Sequence, residues 1–292
     1  MFAPQFDYYR ASSVAEAAAL LEQHPDAKVL AGGHSLIPVL KLRLAAPSAL
    51  IDIGRIDGMR GIREEAGQIV IGALTTHAEL AASATLQSGA TALSEAAGMI
   101  GDPAVRNRGT IGGNVAHADP ASDLPAVLRC LGAEFSIAGS SGTRTVGAAD
   151  FFEGLMTTAV EEHEILTAIS IPSGSGGQGS AYAKFSHPAS RYAVIGAAAS
   201  VTVSDGVCSA ASVALGGLVP APVRATAVED ALAGKALSAD AIADAARCVG
   251  DSLADDEVLG DVYASAEYRS AVATDTICFG ETSMSWTSDA GT

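Results

Sequence analysis

Apolar positions recur along this chain in two rhythms, a helical period of about 3.6 residues and short strand-like runs. Ser13-Val14-Ala15-Glu16 reads as a capping box ahead of an Ala- and Leu-rich helix that ends near His24. Residues 28–31 read as a buried strand, 36–44 as a helix, and 50–53 and 68–72 as strands. Helices are predicted over 86–100 and 120–131, the second with Asp119 and Pro120 as start signals. Strands follow at 134–138, 143–146 and 165–171. The run Pro172-Ser173-Gly174-Ser175-Gly176-Gly177-Gln178-Gly179-Ser180 is a loop or linker and marks a domain boundary. Beyond it, 181–185, 193–203 and 207–215 alternate like strands, the last two joined by a Ser204-Asp205-Gly206 turn. Helices close the pattern at 225–232, 239–249 and 264–273, and the segment after Cys278 has no periodicity and reads as a mobile tail.

Two segments interrupt this pattern in parallel fashion: Ala31-Gly32-Gly33-His34-Ser35, and Thr110-Ile111-Gly112-Gly113-Asn114. A single glycine pair is usually only a turn. Two of them, each following or lying in an apolar stretch and each ending in a small polar residue, suggest a two-loop cradle for a pyrophosphate. Glycine lets backbone N–H groups approach phosphate oxygens, and Ser35 or Asn114 adds a neutral donor. The usual dinucleotide fingerprint, G-x-G-x-x-G opening a helix after a strand, is absent, which disfavours a Rossmann fold.

Composition sharpens the picture by exclusion. The 292 residues are 49% hydrophobic and 17% charged, enough for a sizeable core in two domains. With 17 Lys and Arg against 33 Asp and Glu, the formal net charge of −16 argues against nucleic acid or an anionic membrane as partner. No run approaches the roughly 18 apolar residues of a transmembrane helix. The first residues lack a basic and apolar signal sequence, so a cytoplasmic location is expected. Cys130, Cys208, Cys248 and Cys278 are dispersed without a C-x-x-C pair, and the histidines lack metal-ligand spacing; reduced thiols and no metal site are expected in this chain.

The two glycine segments, with Gly72-Ala73-Leu74-Thr75-Thr76-His77, the stretch from Ile100-Gly101-Asp102-Pro103 to the second glycine segment, and Asp119-Pro120-Ala121-Ser122-Asp123-Leu124-Pro125, carry a specific resemblance. They resemble the FAD-binding medium subunit of the molybdenum hydroxylases, the family of xanthine dehydrogenase and aerobic carbon monoxide dehydrogenase, over residues from the N-terminus to about Arg269. The resemblance implies an α+β fold. A two-part FAD-binding domain of the PCMH (vanillyl-alcohol-oxidase-like) type would span residues 1–176. A C-terminal antiparallel sheet with helices, of the carbon monoxide dehydrogenase flavoprotein type, would span 180–278, with a mobile tail over 279–292. It also implies FAD in this chain. A large partner subunit would carry a molybdenum–pterin cofactor and a small one two [2Fe-2S] clusters, all within a heterohexamer.

Residue by residue, the resemblance assigns Ala31, Gly32, Gly33, His34 and Ser35, with Thr110, Ile111, Gly112, Gly113 and Asn114, to the FAD diphosphate, and Leu30 and Leu36 to the same cofactor site. Asp123 matches an acid on the adenosine side; as a bare residue it would be a first-turn helix acid favoured by the macrodipole. Ile100 and Leu166 match residues packing on the flavin ring and are equally ordinary core positions. Lys184, otherwise a solvated strand lysine, matches a lysine whose charge favours the reduced ring. Tyr192 matches a tyrosine near the flavin's reactive face that gates acceptor access; its bare reading is a strand-start tyrosine shielding the core. Thr75 and Thr76 would donate hydroxyls toward the ring. His34 would contribute backbone amides and packing rather than acid–base chemistry, and Arg106 and Arg108 would brace the second loop or face a partner.

No catalytic constellation is expected, because a flavin relay needs a held pyrophosphate and a ring slot but no nucleophile. The few dispersed cysteines disfavour the 4-hydroxybenzoyl-CoA reductase branch. A stand-alone flavin oxidase and a non-enzymatic assembly protein are the rivals. The substrate (carbon monoxide, an N-heterocycle or an aldehyde) and the acceptor (NAD, a quinone, a cytochrome or oxygen) stay open.

Overall fold

A computed structural model describes residues 2–174 and 176–282. Strand β1 (Asp7–Arg10), helix α1 (Val14–Gln23), strand β2 (Lys28–Leu30), helix α2 (Leu36–Lys41) and strand β3 (Ala49–Asp52) build a small parallel sheet in the order β1-β3-β2. Ser13 Oγ accepts from the Glu16 amide, but the Glu16 carboxylate accepts from the Ser12 amide and hydroxyl, so the predicted capping box is displaced by one residue on its return bond. Helix α2 stops at Lys41, short of residue 44, where the chain turns through Arg43 at a φ of 59°.

A second unit follows: β4 (Ile62–Glu65), β5 (Gln68–Gly72), α3 (His77–Ala82), α4 (Ala84–Gly89), α5 (Thr91–Met99), α6 (Pro103–Arg106), α7 (Ile111–His117), α8 (Asp123–Cys130), β6 (Glu134–Gly139) and β7 (Gly142–Gly147). It ends with α9 (Ala148–Phe151), the β8 (Phe152–Gly154) and β9 (Thr157–Thr158) hairpin, and β10 (Ile165–Pro172). Five strands form an antiparallel sheet in the order β4-β5-β10-β6-β7. Ile169 and Ile171 pair with Ile71 and Ile69, all four fully buried, which is the two-residue period that marks both strands in the sequence.

Tertiary contacts redraw three predicted elements here. The helix expected over 86–100 breaks at Ala90, at φ −157°, into α4 and α5. The Ala92 amide that a continuous helix would satisfy internally donates instead to Ser180 Oγ, and Glu95 accepts from the Tyr182 amide. The helix expected from residue 120 begins at Asp123, because the Pro120 carbonyl accepts from Gly217 and Ser122 Oγ donates to Asn114 Oδ1. The second glycine segment is not a loop but the first turn of α7, with Thr110 as its N-cap.

The last unit is an antiparallel sheet of β11 (Gln178–Ser186), β12 (Ala193–Ser204), β13 (Val207–Gly216) and β14 (Val223–Arg224). Asp205 and Gly206, at φ 52° and 79°, make the predicted tight turn. Helices α10 (Thr226–Leu232), α11 (Ala239–Ala246) and α12 (Ala266–Thr282) back it around a separate apolar cluster. Helix α12 runs to Thr282, so residues 279–282, assigned from the sequence to a tail, are helical; residues 283–292 lie outside the described residues. Cys130 and Ser212 lock this sheet to α8, Cys130 Sγ donating to the Ser212 carbonyl and Ser212 Oγ to the Cys130 carbonyl. Burial pushes the Cys130 thiol up to about 12. No helix among the described residues is long and apolar enough to cross a membrane.

Candidate cofactor-binding cleft

The small parallel sheet and the second unit meet along a cleft of about 810 Å³, a size suited to a large organic cofactor. Ala31 to Leu36 line one wall, α7 with Thr110, Gly112, Gly113 and Asn114 the other, and Ile100, Asp123 and Leu166 contribute further along. Ser190, Arg191 and Tyr192, from the loop joining β11 to β12, reach over it from the C-terminal sheet. Leu30, Thr75, Thr76, Ile111 and Lys184 are not on the wall.

The two glycine segments touch each other. A Cβ on Gly32 would lie 2.2 Å from the Arg108 carbonyl oxygen, and one on Gly112 would lie 2.5 Å from Ala73 Cβ, so both glycines permit close backbone approach. Gly33 sits at φ 74°, where glycine relieves the strain of the turn into α2. Among the described residues the amides of residues 32–35 have no acceptor, and they point to a site that needs donors. In the second segment the amides are already used: Ile111 donates to the Thr75 carbonyl, Gly112 to Ala73, Gly113 to Thr110 Oγ1 and Asn114 to the Thr110 carbonyl. What α7 offers the cleft is the Asn114 side chain. Ser122 occupies its Oδ1 at 2.7 Å, which turns the amide nitrogen into the free donor.

Thr75 and Thr76 both bond within the protein through their hydroxyls. Thr75, fully buried, exchanges bonds with Gly61, its hydroxyl accepting from the amide and donating to the carbonyl. Thr76 caps α3 in a complete capping box with Glu79 and pairs as an antiparallel bridge with Thr110. Their hydroxyls and the bridge to Thr110 hold the scaffold of the second segment. The Thr76-x-x-Glu79 spacing that signals this box was present in the sequence. Arg106 donates to the carbonyls of Ile100 and Gly101 and so braces that turn.

Lys184 is likewise paired inside the protein. Its side chain is 1% exposed and its Nζ donates to Asp123 Oδ2 at 2.9 Å, while Tyr182 donates to Asp123 Oδ1 at 2.6 Å. Burial holds the Asp123 carboxyl above the usual carboxylate range against the pull of the Lys184 ammonium and the Tyr182 hydroxyl. Burial and the neighbouring Asp123 push Tyr182 well above its ordinary value. Lys184 therefore reaches the cleft only through Asp123. Tyr192 stands at the mouth, 44% exposed, its hydroxyl held above its ordinary value by burial and by Asp119 and Asp123 against the pull of Ser35. His34 donates from Nδ1 to the Gly32 carbonyl at 3.0 Å, which fits a loop-shaping role.

His77 is a cleft residue to which sequence reasoning gave no role. It lines the wall 3% exposed, and its Nδ1 has no partner.

Residues 4–174 match the FAD binding domain in molybdopterin dehydrogenase, and residues 180–278 match the CO dehydrogenase flavoprotein C-terminal domain. This chain belongs to the FAD-binding medium subunits of the molybdenum hydroxylases. It is 42% identical to the carbon monoxide dehydrogenase medium chain of Hydrogenophaga pseudoflava, over 94% of each chain. It is 38% identical to the 6-hydroxypseudooxynicotine dehydrogenase complex subunit alpha of Paenarthrobacter nicotinovorans, over 92% of this chain and 90% of that one. Its fold superposes on quinoline 2-oxidoreductase from Pseudomonas putida 86 with a TM-score of 0.90 and 32% identity, covering 97% of each chain. The chain is thus an oxidoreductase subunit, and the cofactor of its family is FAD.

The residues present fit that cofactor. A diphosphate needs several donors without a bulky side chain between them, which the unpaired amides of residues 32–35 and the Asn114 amide provide. A flat ring needs an apolar slot, and Ile100 and Leu166 stand in the same cleft.

Proposed function

We propose that this medium subunit holds FAD along the whole cleft and relays electrons from the [2Fe-2S] clusters of a small partner subunit to an external acceptor. The molybdenum–pterin centre and the substrate site belong, on this reading, to a large partner subunit. FAD, when bound, supplies the exchange between one-electron clusters and a two-electron acceptor. The amides of residues 32–35 and the Asn114 amide bind the diphosphate, Asp123 binds on the adenosine side, and Ile100 and Leu166 flank the ring. Lys184 and Tyr182 position Asp123, and Tyr192 controls access at the mouth. On this reading residues 1–176 form the domain that holds the cofactor and residues 180–278 the domain that covers it. The assembly works in the cytoplasm.

The single observation that carries this reading is the run of unpaired amides at residues 32–35 facing a large cleft in a chain that matches medium subunits over nearly its whole length. The test is an absorbance spectrum and metal analysis of the complex that co-purifies with this chain. Flavin bands with molybdenum and about four irons per FAD, as two [2Fe-2S] clusters require, are expected. FAD without metals or partners would instead make the chain a stand-alone flavoprotein, and a complex without flavin would overturn the cradle.

A further inference from the structure

His77 is built into the cleft in an unusual electrostatic state. It is the first residue of α3, its own amide donates to the Gly109 carbonyl, and its ring packs so tightly that a Cβ on Gly109 would lie 2.8 Å from Cδ2. Gly109 thus leaves room for the imidazole at the start of the second glycine segment. The ring is almost fully buried, yet Nδ1 has no hydrogen-bond partner. A buried imidazole nitrogen without a partner, on the wall of an anion-binding cleft, is poised to take a ligand.

Arg106, on α6, and the His34 ring, on the first glycine segment, both disfavour a proton on His77. Of the helices packed against α3, α4 carries no charged residue and α5 carries Glu95, which is engaged by the Tyr182 amide. On α3 itself, Glu79 is engaged by Arg60 and by Thr76. Burial, with His34 and Arg106, lowers His77 to about 4, so the ring is neutral at physiological pH in the protein alone. An anion brought into the cleft reverses this balance, because opposite charge at close range favours the protonated imidazole.

We propose that His77 takes up a proton when the diphosphate of FAD enters the cleft, so that the imidazolium forms only with the cofactor and cofactor loading is coupled to pH. The proposal rests on the reading of this cleft as the FAD site. The complex then holds one proton more than the free chain and cofactor, so raising the pH weakens binding, by up to about tenfold per unit where a single proton is taken up. In the free protein a neutral His77 spares the cleft the cost of a buried, unpaired charge.

The test is a flavin-fluorescence titration of the full chain with FAD between pH 5.5 and 8, for the wild type and for His77→Gln. Calorimetry of the wild type in two buffers of different ionisation enthalpy reads the proton uptake directly, even if the variant fails to fold. Wild-type affinity should strengthen as pH falls, with the variant's slope at least threefold shallower between pH 6 and 8, and calorimetry should report net proton uptake. FAD binding with equal slopes, or without proton uptake in the wild type, would overturn the role of His77 and leave the FAD site standing. No FAD binding at any pH would overturn the site itself.

Discussion

In the first glycine segment the amides of residues 32–35 have no acceptor among the described residues and Gly33 adopts a φ of 74°; in the second, each amide from Ile111 to Asn114 already has an acceptor inside the protein. The two segments share a sequence grammar but not a physical role. The first is a turn that presents backbone donors. The second is a helix start whose glycines exist so that backbones can meet, Gly112 against Ala73 and the neighbouring Arg108 carbonyl against Gly32. Its one ligand-facing donor is a side chain, Asn114, aimed by Ser122. A glycine pair therefore marks either an approach to a ligand or an approach to another strand of chain, and only the partners of its amides tell which.

The largest expected effect lies behind the second segment, whose aiming residue Ser122 adjoins the buried Asp123–Lys184 pair. Lys184→Met leaves Asp123 buried and uncompensated, and should destabilise the chain by about 3–5 kcal/mol in chemical denaturation. A double variant with Asp123→Asn should recover most of that loss. If Lys184→Met alone is neutral, the second segment does not depend on this pair.

Next comes pH. His77 binds a proton less readily in the folded chain, at about 4, than in the unfolded one, near the ordinary 6.5. Above 6.5 both states are neutral and the group contributes nothing. As pH falls from 6.5 toward 4 the unfolded state takes up a proton that the folded state refuses, and stability drops by about 3 kcal/mol. His77→Gln should remove that share of the loss in denaturation series across this window.

Gly112→Ala separates the two meanings of glycine. Helix propensity alone favours alanine in α7 by about 1 kcal/mol. The contact with Ala73 should overrule it, giving a net loss of about 1–3 kcal/mol and a lower melting temperature. A gain in stability would show that Gly112 is there for something other than the close approach.

The smallest effect is on binding. Asn114→Ala removes the side-chain donor of the second segment, and FAD should dissociate about tenfold more readily, as expected for one hydrogen bond to a charged group. His34→Ala should weaken FAD binding far less, because the first segment works through its backbone. Equal losses in the two variants, read by flavin fluorescence, would erase the distinction between the segments.

Much of the fold was legible because apolar period survives folding: Ile69, Ile71, Ile169 and Ile171 announce their strands, and Asp205-Gly206 announces its turn. The breaks were not legible. Nothing local separates residues 86–100 into two helices, since the Ala92 amide leaves its helix for a serine far along the chain. Likewise nothing local names Gly61 and Glu79 as the partners that the hydroxyls of Thr75 and Thr76 find.

Motif order and glycine placement, both local covalent facts, thus named the family, its cofactor and the two segments that frame the cleft. Tertiary structure alone decided which donors are free, that Lys184 pairs with the buried Asp123, and that His77 is buried close to Arg106. The physical reason is that hydrogen-bond satisfaction and desolvation depend on which distant atoms arrive at a residue, and a sequence records the residue but not its visitors.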